Sequence, residues 1–418
     1  MMLKFLGGAQ EVGRSAILLK DDRSLLFDFG VKLDHHTEYP TSIPKVDGLI
    51  VSHAHLDHSG FSPGLYTGNM VPAFGTAPTL KLSTLLLDDS LNIARKQHIT
   101  PKFHRRQIKE FIDRYVSLDY GHLARFGNFD IEMHDAGHII GSAVTLVERA
   151  HAKDYRRVVY TGDFKLSPQT LHHGAEVVQS DVLIMESTYA TREHEDRDKV
   201  VKGLVEKINE VLDNGGHALL PAFAVGRSQE LMTILYENGL ASQTHVDGMS
   251  KEATSIALNY PKFTENYRKF AEAARAVNWV TSRSERMAVL DQPGIILTTS
   301  GMLNGGPVLS YLPKLHKNSH IFLTGFQQEG TNGKMLLDNG KVSIDGKVKR
   351  IDHPVSFHDL SAHAGMHDLH EYAKRSSPKT IICVHGDEDA TMLLARSLRD
   401  EGFDAHAPKI GDQIKLGD

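Results

Sequence analysis

The chain has 418 residues, 40% of them hydrophobic and 24% charged, which is enough for two ordinary cores and too balanced for a disordered or fibrous protein. A formal net charge of -5 supplies no global basic field, so any nucleic-acid site must be a local groove. The single cysteine, Cys383, excludes a disulfide framework and a cysteine-built zinc site, and no run reaches about 18 apolar residues, so a cytoplasmic protein that does not span a membrane is expected.

One anomaly stands out in this composition. Histidine occurs 25 times and clusters with Asp and Glu, the residue set that builds metal sites without thiolates.

In chain order, short apolar runs recur at "SLLFDFG", "GLIVSH", "VVYTGDF", "VLIMEST", "HALLPAF", "GIILTTSG", "HIFLTGF" and "TIICVHG". Most are followed by Gly or polar residues, and they read as buried strands with something placed at their C-terminal ends. Between them, Val201, Leu204, Val205, Ile208, Val211 and Leu212 repeat with helical period, and Gly215 follows as a stop. Leu231, Ile234 and Leu235 mark another helix after "GRSQE". The class is α/β. The charged stretch "TREHEDRDK" near residue 195 reads as the solvated first turn of a helix and marks a candidate domain border.

The stretch "SHAHLDHSG" follows the strand-like "GLIV" and holds His53, His55, Asp57 and His58. A loop leaving a strand there can turn one pair of donors toward one cation and the other pair toward a second. A catalytic divalent ion takes about three protein ligands and keeps a position open for water. Further donors stand at other strand ends: His138 in "DAGHIIGSA", Asp163 in "YTGDF" and His385 in "CVHGDE". His35, His36, His98, His172 and His173 lie outside this pattern and read as ordinary surface or hydrogen-bonded residues.

"HAHLDH" with these later motifs resembles the metallo-β-lactamase superfamily, a four-layer αββα sandwich with a dinuclear zinc site at the sheet edges. Glu186 in "ESTY", His363 in "DLSAHA" and His385 in "VHGDE", together with "PAFAVGRSQE", "TSGMLNGGP" and "GFQQEGTNG", resemble the β-CASP nucleases over nearly the whole chain. Within these, the chain is most similar to the endonuclease subunit of the cleavage and polyadenylation specificity factor and its archaeal homologues. The resemblance implies two Zn2+ ions, one held by His53, His55 and His138 and the other by Asp57, His58 and His385, with Asp163 bridging them. Asp28 in "LLFDFG" would orient a ligand, and the histidine at 385 favours RNA over DNA.

Phosphodiester hydrolysis also needs a proton for the leaving oxygen, and a histidine held by a carboxylate suits that task. His363 with Glu186 is the candidate pair, with phosphate binding as the other role open to His363. Arg227 and Ser228, at a predicted helix start, are candidates for holding an RNA phosphate, and Ser300 and Gly301 for close backbone approach to the strand. The basic stretch "KVKR" at 347–350 reads as a solvated strand edge.

Because His385 lies near the end, the C-terminal part must return to the metal domain. The expected division is 1–190 and 351–418 for the metallo-β-lactamase domain and 191–350 for an inserted α/β β-CASP domain, which would clamp the RNA. The expected activity is zinc-dependent cleavage of single-stranded RNA in 3′-end processing or decay, endonucleolytic with a 5′ to 3′ exonuclease component still open. Ribonuclease J is the nearest family alternative, though its usual added C-terminal domain is missing here, and small-molecule hydrolysis shares the "HxHxDH" chemistry. No KH-like stretch precedes "MMLKFLGG", so weak intrinsic sequence selectivity or reliance on RNA-processing partners is expected. Dimers occur in the resembled family.

Overall fold

A computed structural model describes residues 1–33, 36–344 and 346–417. The chain forms two compact units, one from Met1–Glu193 with Ala362–Asp418 and the other from His194–Ser361. The inserted unit therefore runs past the expected residue 350. Val355–Phe357 is the reason, since it pairs with His320–Leu323 as an edge strand of the inserted sheet.

In the first unit, strands at 2–7, 16–20, 24–27, 48–50, 73–75, 115–117 and 413–415 build one seven-stranded sheet, and strands at 123–126, 129–135, 143–149, 157–160, 182–186, 380–384 and 404–406 build a second. Alternation along each strand decides which layer a side chain joins. Val182 and Ile184 enter the core between the sheets together with Ile17, Phe27 and Ile50, whereas Leu183 and Met185 pack with Leu369, Tyr372, Leu394 and Leu398 of the helices Met366–Ser376 and Glu388–Asp400. On the other sheet, Leu18, Leu26 and Leu49 face Leu87, Ile108 and Phe111 of the helices Ala77–Lys96 and Arg105–Asp113. Apolar residues on both faces make these strands continuous hydrophobic runs, and the result is the expected αββα sandwich.

The second unit is built on a six-stranded sheet whose paired strands all run parallel, in the order Asn278–Trp279, Thr244–Asp247, Gly294–Thr298, His217–Pro221, His320–Leu323 and Val355–Phe357. Its first helix, Arg197–Asp213, buries Val200, Leu204, Ile208 and Val211. The charged stretch before it supplies the cap, because the Asp196 side chain accepts from the Lys199 N–H at 3.0 Å. A two-stranded ribbon pairs Lys341–Ile344 with Lys347–Arg350, and the latter strand is exposed throughout, as expected for "KVKR". Among the described residues no helix is long and apolar enough to cross a membrane.

Candidate metal centre

The site is made from strand ends of the first unit. Strand Gly48–Ile50 runs out into His53 and His55, and a single helical turn, Leu56–Ser59, carries Asp57 and His58. That turn is held by the neighbouring segment 29–31: the Phe29 N–H donates to the His58 carbonyl and the Val31 N–H to the Leu56 carbonyl, both at 2.9 Å. Gly30 makes this approach possible, because a Cβ there would lie 1.7 Å from the Asp57 carbonyl oxygen. His138 sits in the loop between Phe129–Asp135 and Ala143–Arg149, Asp163 follows Arg157–Tyr160, and His385 follows Thr380–Val384. Asp28 and His385 adopt left-handed backbone, φ 55° and 48°, which is uncommon outside glycine and turns both side chains sharply off their strand ends.

Asp163 stands at the centre. Its Oδ2 faces His53 Nε2 at 3.6 Å and His138 Nε2 at 3.9 Å, while its Oδ1 faces His58 Nε2 at 3.2 Å and His385 Nδ1 at 2.9 Å. His55 Nδ1 lies 3.1 Å from His138 Nε2, and Asp57 Oδ2 lies 3.5 Å from His385 Nε2. Donor atoms of His53, His55, His138 and Asp163 thus lie within 4.8 Å of one another, and so do those of Asp57, His58, Asp163 and His385. All of the sequence-derived ligands are brought together in these two groups.

The donor set fits a metal. His53 Nε2, His58 Nε2, Asp163 Oδ1 and both ring nitrogens of His385 are buried without a hydrogen-bond partner, although they point at one another. Such a cluster of orphaned lone-pair atoms is costly unless cations hold it. Burial, reinforced by the neighbouring imidazoles, pushes the pKa of His53 and of His138 well below the ordinary value, leaving the neutral form that ligates metals. His385 goes the other way: burial lowers its pKa, but Asp163 and Asp57 outweigh that and push it up to about 10.

The outer nitrogens are met by Asp28 and by residues that the sequence did not single out. His58 Nδ1 meets Asp28 Oδ2 at 2.6 Å, and Asp28 in turn accepts from the Ser52 N–H, the Ser52 hydroxyl and the Tyr160 hydroxyl, each at 2.7 Å. The same Ser52 Oγ lies 3.1 Å from His53 Nδ1, and His138 Nδ1 donates to the Ala362 carbonyl at 2.9 Å. With Nδ1 occupied, the Nε2 atoms of His53, His58 and His138 are aimed inward. Asp28 thus meets the ring of His58, while Ser52, Tyr160 and the Ala362 carbonyl complete the set of contacts behind the cluster.

Beside the two donor groups, His363 Nδ1 lies 3.0 Å from Glu186 Oε2 and 3.9 Å from Asp163 Oδ2, and its ring packs on that of His138 with centroids 4.7 Å apart. Glu186 ends strand Val182–Glu186, is 1% exposed, and is steadied by the Phe164 N–H donating to Oε1 at 2.8 Å. Burial lowers the His363 pKa, but the Glu186 and Asp163 carboxylates outweigh it and raise it above the ordinary value.

The four residues expected to contact RNA lie in the second unit, where Pro221 pairs with Thr298 and brings both loops to the C-terminal edge of the sheet. The side chains of Arg227 and Ser228 make hydrogen bonds within that unit. Arg227 is buried with Nη1 donating to Glu230 Oε2 at 2.8 Å, and the Ser228 hydroxyl donates to the Phe223 carbonyl at 2.7 Å. Gly301 is required by packing, since a Cβ there would lie 2.9 Å from the Phe223 nitrogen. The Ser300 hydroxyl is buried without a hydrogen-bond partner. Of the histidines read as ordinary, His36, His98, His172 and His173 join none of the candidate metal groups found among the described residues, and His35 lies outside those residues.

Comparison with known proteins agrees with this geometry. Residues 228–336 match the Beta-Casp domain, 348–408 the Zn-dependent metallo-hydrolase RNA specificity domain, and 7–210 the anti-Pycsar protein Apyc1. The chain is 37% identical to the "Probable RNase MJ4" of Methanocaldococcus jannaschii, with 100% of each chain covered. It belongs to the β-CASP nuclease family. This β-CASP protein is also 32% identical to "RNase aCSPSF2" of Saccharolobus solfataricus, over 99% of its own length and 85% of the relative's. It is 35% identical to "Transcription termination factor FttA" of Thermococcus kodakarensis, over 98% and 70%. A solved structure, a protein of unknown function from Enterococcus faecalis V583, superposes with a TM-score of 0.64 at 15% identity, covering 99% of both chains, and so shares the fold. The metallo-β-lactamase fold with a β-CASP insertion and a metal-binding His/Asp centre follow for this family member.

Proposed function

We propose that the protein is a zinc-dependent ribonuclease that hydrolyses phosphodiester bonds of single-stranded RNA in 3′-end processing or decay, in a cytoplasmic setting. The observation that carries this reading is the position of Asp163, with one carboxylate oxygen toward each histidine group and the His363–Glu186 pair alongside. His53, His55 and His138 would hold one Zn2+ and Asp57, His58 and His385 the other, with Asp163 shared. When bound, two such ions supply a nucleophilic water at neutral pH and offset charge on the phosphate oxygens.

The residues do the rest. Asp28, Ser52 and Tyr160 keep the imidazoles oriented, so the site needs little reorganisation as charge develops. Glu186 accepts the Nδ1–H of His363, which leaves Nε2–H as the proton donor to the departing oxygen. The side chain of His363 is 18% exposed, against 1% for that of Glu186, so the ring is the member of the pair that a substrate can reach. A non-catalytic scaffold role is disfavoured because every donor position is filled. The relatives named as ribonucleases, and the match to an RNA specificity domain, favour RNA over a small-molecule ester.

The test is cleavage of one single-stranded RNA labelled separately at its 5′ and 3′ ends, with a DNA copy alongside, by protein of measured zinc content. Internal fragments from RNA alone support the endoribonuclease, and release of 5′ mononucleotides marks the exonuclease form. Absence of cleavage by protein holding two zinc ions overturns the proposal.

A further inference from the structure

The segment after Glu186 carries two residues that the chemistry above does not use. Tyr189 is buried, and its ring meets that of His363 edge-on, with centroids 5.9 Å apart. Arg192 is exposed at the surface and its guanidinium lies over the other ring, 4.5 Å from the Tyr189 centroid. The backbone locks this arrangement to the segment bearing His363. Tyr189 forms an isolated parallel bridge with Gly365, the Met366 N–H donates to the Arg192 carbonyl at 3.1 Å, and the Arg192 N–H closes a turn on the Tyr189 carbonyl at 3.2 Å. His363, Tyr189 and Arg192 therefore form a row leading from the Glu186 pair to solvent.

A guanidinium seated on an aromatic face is held by its charge and its planar surface, and its in-plane N–H donors suit the oxygens of a phosphate. A cation placed there matters in a protein of net charge -5, which has no general attraction for a polyanion. The row runs outward from His363, so a strand that leaves past the proposed proton donor would meet it.

We propose that Arg192, propped by Tyr189, binds the phosphodiester that neighbours the scissile one on the departing-strand side, and that Tyr189 positions both Arg192 and His363. The inference rests on the ribonuclease reading and on His363 as the acid.

The experiment measures kcat, KM and the salt dependence of kcat/KM on single-stranded RNA for zinc-quantified wild type, Arg192→Ala, Arg192→Lys, Tyr189→Phe and Tyr189→Leu. Arg192→Ala should raise KM about tenfold, since a charge-assisted bond is lost, with zinc content unchanged. The slope of log kcat/KM against log salt should become shallower by about 0.7, the share of one single-strand phosphate contact. Arg192→Lys should keep the slope, because the charge remains. Tyr189→Phe should resemble wild type, while Tyr189→Leu should reproduce the KM rise and lower kcat as well. Wild-type KM and slope in Arg192→Ala would overturn the inference, as would loss of zinc or of thermal stability in that variant, which would mark a structural role. If the zinc-loaded wild type leaves RNA intact, the ribonuclease reading falls too, and the wild-type control separates that case from failure of the Arg192 assignment alone.

Discussion

Asp28 and His58 meet through a 2.6 Å contact between Oδ2 and Nδ1, with both side chains at 0% exposure. No solvent can substitute for either partner. Replacing the carboxylate by an amide in Asp28→Asn removes the charge that holds the ring and the acceptor that Ser52 and Tyr160 share. Metal affinity should fall about 10- to 100-fold, measured by competition with a chromogenic chelator. Wild-type affinity in this variant would mean that packing alone fixes His58.

Asp163 serves both donor groups at once, so its loss should behave unlike the loss of any single histidine. Asp163→Ala should bring bound zinc from the proposed two per chain to below one and remove detectable hydrolysis. His55→Ala touches one group only and should keep the ion of the other. Elemental analysis after dialysis separates the two patterns, and equal losses in both variants would contradict the shared role.

His363→Ala removes the proposed proton donor while sparing all seven residues of the two four-residue donor groups, which share Asp163. A general acid contributes about 10²- to 10⁴-fold in rate, so kcat should fall by that order with zinc content kept. Glu186→Gln should move kcat in the same direction, because the amide cannot accept the Nδ1–H as a carboxylate does. Zinc loss in His363→Ala would reassign the residue as a ligand.

Burial lowers the pKa of His217, His245, His353 and His358, and that of His320 to about 4, all within the inserted unit. The sign follows from linkage. Between about pH 6.5 and about 4 these five histidines bind more protons in the unfolded chain than in the folded unit, so their contribution to stability rises with pH there and is lost as pH falls. Trp279 is the only tryptophan of the chain and lies in this unit, so its fluorescence reports the unit selectively. Urea midpoints followed by that signal should drop as pH goes from 7.5 to 4.5, and His320→Gln should flatten the trend. A midpoint independent of pH would show that these imidazoles protonate freely in the folded state.

Much of the site was legible because metal chemistry demands rare residue types at strand ends, and His53, His55, Asp57 and His58 stand in one short loop. The partners behind them were not legible. Ser52, Tyr160 and the Ala362 carbonyl are common groups whose roles depend on register between strands distant in sequence. The Glu230 contact of Arg227 was not legible for a related reason: a helix start with a basic residue reads the same whether or not its guanidinium also meets a carboxylate one turn on. The border near 350 was misplaced because Val355–Phe357 is three residues long and follows Pro354, too short a signal to assign to either sheet.

The return of the chain to its first sandwich has a consequence for biosynthesis. His385 comes from strand Thr380–Val384, which pairs beside Val182–Glu186 only after the entire inserted unit has been made. A ribosome that has translated the first half has produced His53, His55, His138 and Asp163, a complete donor group, but the group containing His385 does not yet exist. On the proposed assignment, the nascent chain would carry one complete donor group early and would become able to cut RNA, including the message being read, only near the end of its own synthesis.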